Sequence, residues 1–114
     1  MSYKITTVES FKKELKSLSK RYKNIKKDYQ NLLELLSTSN PKEIATHLGN
    51  NCYKIRIQNS DNNRGKSAGY RVIYLMIEEE VEIILLCIYS KSDLSNISEE
   101  HIDKKVVEVI AQRE

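Results

Sequence analysis

The sequence predicts an α+β fold: a small antiparallel sheet with an N-terminal helical pair and a C-terminal helix, in the order β-α-α-β-β-β-α. Three observations predict it. Residues 9–37 carry apolar side chains at steps of three and four, the period of a helix that buries one face. Residues 52–57, 70–77 and 81–89 either alternate or are apolar at nearly every position, as half-buried and fully covered strands do. From Ser98 onward the helical period returns behind a serine cap. At 114 residues the chain suits one domain, 1–114, large enough to bury a core.

The first strand is read at 3–7 (YKITT), which alternates and holds β-branched residues. Phe11, Leu15, Leu18, Tyr22, Ile25, Tyr29, Leu32 and Leu36 then form a stripe, and lysines 12, 13, 16, 20, 23, 26 and 27 crowd the other positions. An unbroken helix of that length would be long for a globular domain. The best turn is Tyr22–Asn24, with Asn24 available as a cap, so two antiparallel helices are expected at 9–20 and 24–37. Pro41 within 37–43 ends the pattern. In CYKIRI (52–57), Tyr53, Ile55 and Ile57 point one way and Lys54 and Arg56 the other. A polar, glycine-bearing loop (58–69) leads to the two apolar strands, which an acidic turn at Glu78–Glu80 joins. The last helix places Glu99 and Glu100 in its first turn, where the helix dipole favours acids. Ile102, Val106, Val109 and Ile110 give its apolar face.

Composition narrows the classes. With 39% hydrophobic residues the chain is not read as disordered. Its formal net charge of +3, from 19 basic and 16 acidic residues, says less than the placement of those charges. Cys52 and Cys87 form no CxxC pair, so no zinc site, metal or other cofactor is expected, and both are read as reduced, buried thiols. The N-terminus lacks the apolar core of a signal peptide, and no apolar run is long enough to span a membrane. A cytoplasmic protein is expected.

Three phrases carry a resemblance: LGNNCYKIRI (48–57), RGKSAGYRVIY (64–74) and LLCIYSKSDLSNIS (85–98). In this order, behind a lysine-rich helical pair, they resemble the RelE superfamily toxins of type II toxin–antitoxin systems, with the HigB-like branch the most similar. The resemblance covers roughly 9–112. It implies the RelE-like microbial ribonuclease fold and an endoribonuclease, an mRNA interferase that cuts messenger RNA in the ribosomal A site. It also implies a cognate antitoxin that holds the toxin inactive. The alternative on the same scaffold is a ParE-type toxin, which inhibits DNA gyrase and cuts no RNA.

Metal-free RNA cleavage uses the substrate's own 2′-hydroxyl as nucleophile. It needs a base, cations for the crowded phosphate and a proton donor for the leaving oxygen. Lys54 and Arg56 share the face of a strand opposite its core side, Arg71 opens the next strand, and Tyr89 and Lys91 share parity at the end of the last. If the strands are neighbours, these groups meet. The resemblance places basic residues at Lys54, Arg56, Arg71 and Lys91, with roles in proton transfer and phosphate stabilisation. Some family members have a tyrosine a few residues past the last strand, where this chain reads Asp93 to Ile97, so Tyr89 is the stand-in at a different position. Arg64, Lys66 and Asn96 are candidate RNA contacts. His47 and His101 lie outside the three phrases and are not assigned to the site. The structural alternative for Arg71 is an internal salt bridge to Glu82 or to a carboxylate of the last helix.

Overall fold

Residues 3–62, 65 and 68–113 are described in the structure, a computed structural model of the chain. The elements are β1 (Lys4–Thr7), α1 (Glu9–Ser19), α2 (Ile25–Thr38), β2 (Thr46–Gly49), β3 (Cys52–Ile57), β4 (Tyr70–Ile77), β5 (Glu82–Ser90) and α3 (Glu99–Arg113). The five strands form one sheet in the order β1-β5-β4-β3-β2. The α+β class and the helical pair stand as read from the sequence.

Two features of the sheet differ from the sequence reading. The first is β2, which pairs antiparallel with β3, His47 opposite Tyr53. Its hairpin turns through Gly49, Asn50 and Asn51, with φ of 96°, 51° and 62°. Glycine and asparagine are the residues that tolerate this left-handed region. The second is the parallel pairing of β1 with β5, Ile5 opposite Ile83, while the other pairs are antiparallel. A parallel neighbour needs a crossover connection, and here the whole helical pair and three strands lie between the two.

The stripe of the helical pair packs on one face of the sheet. Phe11, Leu18, Ile25, Leu32 and Leu36 are buried. Tyr22 meets Tyr70 edge-on at 5.7 Å between ring centroids. Tyr53 stacks on Tyr74 at 5.8 Å, and the Tyr74 hydroxyl donates to the Pro41 carbonyl at 2.6 Å. Asn24 stands at the N-cap of α2 but makes no side-chain cap bond. Its backbone N–H and side-chain amide both donate to the Asp61 carboxylate at 3.0 Å, tying the helical turn to the loop after β3.

The other face of the sheet carries α3. Ser98 caps α3, its Oγ accepting the His101 N–H at 3.2 Å. Ile102 and Val109 are buried, but Ile110 is 52% exposed, against expectation. One helical residue past Val109 rotates by about 100°, which carries Ile110 off the buried stripe. Buried Lys105 takes a place in that stripe instead, donating to Ser10 Oγ and Glu14 Oε2, both at 2.8 Å. Arg113 pins the far end of α3 to Glu80 at 3.0 Å and Glu82 at 2.7 Å. Both cysteines are free and buried. Among the described residues no helix is long and apolar enough to cross a membrane.

Candidate active site

Strand register decides which side chains meet. Arg56 lies opposite Arg71, and Arg71 lies opposite Tyr89. Directly paired residues point to the same face, so these three form one row across β3, β4 and β5, about 10 Å from end to end. Lys54 lies opposite Ile73, and Ile73 opposite Cys87. That second row is about 7 Å further along the strands on the same face. Lys91 follows β5 directly, and its N–H donates to the Gly69 carbonyl at 3.0 Å, which extends the pairing beyond the first row. Lys54, Arg56, Arg71 and Tyr89 therefore share the face opposite the helical pair, and Lys91 lies in the turn that follows β5.

Their environments differ. Arg56 is exposed, and Lys54 and Lys91 are half-buried. Lys91 Nζ donates to the Ser95 carbonyl at 2.8 Å. Arg71 is only 4% exposed, and its Nη1 donates to the Tyr70 carbonyl at 3.3 Å. Burial, and then the Arg56 guanidinium, lower the Arg71 pKa, with Tyr89 acting the other way. An arginine remains charged at neutral pH despite this. The expected alternative partner Glu82 sits at the opposite end of β5 and binds Thr6 and Arg113.

Tyr89 is 8% exposed. Among the described residues its hydroxyl has no hydrogen-bond partner. Burial, then Cys87, raise its pKa, against a lowering from Arg71. Tyr89 therefore offers a neutral O–H beside a buried guanidinium, a donor next to a cation. It lines a hollow with Leu94, Asn96 and His101. Asn96 is exposed, and its Oδ1 accepts the Ile97 N–H at 2.9 Å.

The remaining candidates divide. Arg64 and Lys66 lie outside the described residues. His47 packs on Tyr53 at 5.0 Å between centroids, on the helical side of the sheet and away from the row. His101 is nearer the site than the sequence indicated, because the first turn of α3 faces the end of β5. Its only sequence signal is its place three residues after the Ser98 cap. Among the described residues no group of three or more His, Cys, Asp or Glu is placed to hold a metal ion.

Gly69 sets the start of β4 against the end of β3. A Cβ there would overlap the Ile57 carbonyl oxygen, so the loop returns to the sheet at this closeness only with glycine. The same residue's carbonyl receives the Lys91 N–H.

A small mixed sheet with a helical pair on one face and a cationic row on the other defines a class, and sequence comparison names it. The sequence model of the family described as the RelE toxin of the RelE/RelB toxin–antitoxin system matches residues 8–113, and the chain belongs to that family. Among solved structures, the isolated E. coli RelE toxin is 24% identical with a TM-score of 0.54, over 96% of this chain and 99% of that one. A double arginine-to-alanine variant of E. coli RelE in the free state is 22% identical with a TM-score of 0.58, over 93% and 96%. RelE in the intact E. coli RelBE toxin–antitoxin complex is 25% identical with a TM-score of 0.50, over 76% and 94%. None of the curated proteins matches the chain.

Proposed function

We propose that this chain is a ribosome-dependent messenger-RNA endoribonuclease, the toxin of a type II toxin–antitoxin pair. The observation that carries the reading is the row Arg56–Arg71–Tyr89 with Lys54 and Lys91 on either side of it. A ribose-phosphate linkage laid along this face meets cations from β3, from β4 and from the turn after β5, and one neutral hydroxyl.

The step these groups suit is transesterification. The 2′-oxygen attacks the adjacent phosphorus and the 5′-oxygen leaves, giving a 2′,3′-cyclic phosphate and a free 5′-hydroxyl. Arg71 and Arg56 stabilise the charge that builds on the phosphate, and Arg71 does so from a site with little water, where charge counts most. Lys54 or Lys91 takes the 2′ proton. Tyr89 gives its proton to the leaving 5′-oxygen; its raised pKa keeps that proton in place until it is needed. Lys91 reaches this role by leaving the Ser95 carbonyl. Arg64, Lys66 and Asn96 contact the flanking RNA.

The solved E. coli toxin–antitoxin complex supports a cognate antitoxin as the partner that silences the chain. The test is expression without that partner. The reading expects arrested translation and transcripts ending in 2′,3′-cyclic phosphates within ribosome-bound messages. Intact transcripts together with inhibited gyrase supercoiling would overturn it in favour of a ParE-type target.

A further inference from the structure

The hollow beside Tyr89 joins a buried hydroxyl to an exposed imidazole. It has a volume of about 580 Å3 and lies between the end of β5, the segment after it and the first turn of α3. Cys87 and Tyr89, two residues apart on β5 and so on one face, both line it. Tyr89 is 8% exposed, and among the described residues its hydroxyl meets no hydrogen-bond partner. A buried O–H without a partner carries a desolvation cost, so this hydroxyl is set for a partner that arrives with the substrate. His101 is exposed and lines the same hollow. The bond that seats it there, from its N–H to Ser98 Oγ at 3.2 Å, uses the backbone and not the ring.

Tyr89 needs a proton source. In the cleavage step its O–H bond breaks and the proton goes to the 5′-oxygen as the P–O bond opens. Burial, then Cys87, raise the Tyr89 pKa, so the phenolate left behind is disfavoured and its proton must be replaced as it leaves. Tyr89 is nearly enclosed, and the hollow connects it to exposed His101. The other titratable groups at the hollow are engaged. Cys87 holds its proton, its thiol pushed up to about 12 by burial. Glu14, from α1, accepts from Lys105 Nζ at 2.8 Å and from the Ile88 N–H at 3.1 Å. Histidine is the side chain that exchanges protons between about pH 5 and 8.

We propose that His101 supplies the proton that Tyr89 gives up, through the hollow the two residues share, and so serves the leaving 5′-oxygen at one remove. The proposal rests on the nuclease reading above. The N–H bond of the imidazolium breaks as the Tyr89 O–H re-forms, directly or through one water. The neutral imidazole then takes its next proton from solvent, and no charge stays on the phenol. His101 touches no reacting atom and acts only through Tyr89. The charged and titratable groups around it are Glu14 of α1, Cys87 and Tyr89 of β5, and Lys105 one turn further along α3, whose ammonium is bonded to Glu14 and Ser10.

The test is the single-turnover cleavage rate of ribosome-bound messenger RNA from about pH 5 to about pH 9, for wild type, His101→Gln, Tyr89→Phe and the double variant. The wild-type rate is expected to carry a limb that falls as pH rises through the histidine range, because only the imidazolium donates. His101→Gln is expected to lose that limb and to slow cleavage about tenfold at neutral pH, less than the roughly hundredfold or more that a direct proton donor contributes. Free imidazole in the buffer should restore part of the rate to His101→Gln and none to Tyr89→Phe. Once Tyr89 is phenylalanine, His101→Gln should change nothing further. A wild type that cleaves while His101→Gln keeps its rate and its pH profile would overturn the proposal and leave the nuclease reading standing. So would a His101→Gln effect of equal size with and without the Tyr89 hydroxyl. A wild type that cuts no message would overturn the nuclease reading and the proton supply with it.

Discussion

Replacing Lys105 with methionine tests how α3 is held. The ammonium is nearly buried, its side chain 7% exposed, and it bonds to Glu14 and Ser10 at 2.8 Å each. Methionine keeps most of the stem's volume and its contacts, so the change isolates the charge. Glu14 keeps its bond from the Ile88 N–H at 3.1 Å. Breaking a fully buried ion pair by removing one member costs about 3–5 kcal/mol. Glu14 is 31% exposed, so water recovers part of its solvation and the cost falls to about 1–3 kcal/mol. For a domain of this size that lowers Tm by roughly 5–15 °C. Urea denaturation followed by circular dichroism measures it, with Glu14→Gln and the double variant completing a cycle. The reasoning expects a coupling of about 1 kcal/mol or more between the two sites. A Lys105→Met protein within about 0.5 kcal/mol of wild type would refute the view that this pair anchors the helix.

Other perturbations reach different parts of the account. Gly69→Ala is expected to cost about 1–3 kcal/mol, because a methyl group there overlaps the Ile57 carbonyl, and to lower activity through the displaced Lys91; stability and cleavage rates measure the two effects. Burial raises the Glu82 pKa, but hydrogen bonds from Arg113 and Thr6 more than offset it, so the folded value lies below the ordinary one. A depressed carboxylate contributes stability that is complete above its unfolded pKa and lost as pH falls through the folded value. The stability gap between wild type and Glu82→Gln should therefore shrink as pH falls below the ordinary glutamate value in a denaturation series, and a gap that widens in acid would contradict the sign. Burial pushes the Cys52 thiol up to about 11 and that of Cys87 up to about 12. Both should resist a thiol reagent at neutral pH in the folded protein and react on unfolding.

Much of the row's placement was legible because a strand's side chains alternate. Parity alone put Lys54 with Arg56 and Tyr89 with Lys91, and neighbouring strands were enough to bring them together. Burial was not legible. Nothing local says that Arg71 and Tyr89 sit in the middle row of a covered sheet while Arg56 sits exposed on β3. Strand β2 escaped notice because Thr46–Gly49 is short and does not alternate, and its signal is the Gly-Asn-Asn turn that follows it. The parallel β1–β5 pair is a contact between distant segments that no window of sequence contains. Asn24 has the chemistry of a cap, but Asp61, brought close only by the fold, takes its hydrogen bonds. His101 comes near Tyr89 through the same kind of long-range packing.

The most direct test of the central claim is the cleavage rate of ribosome-bound messenger RNA by purified wild type and Arg71→Ala, with the fold of the variant checked by circular dichroism. The account predicts a folded variant slowed roughly 10²–10³-fold, the loss typical of removing one preorganised charge stabiliser. A folded Arg71→Ala protein that cuts at the wild-type rate would contradict it.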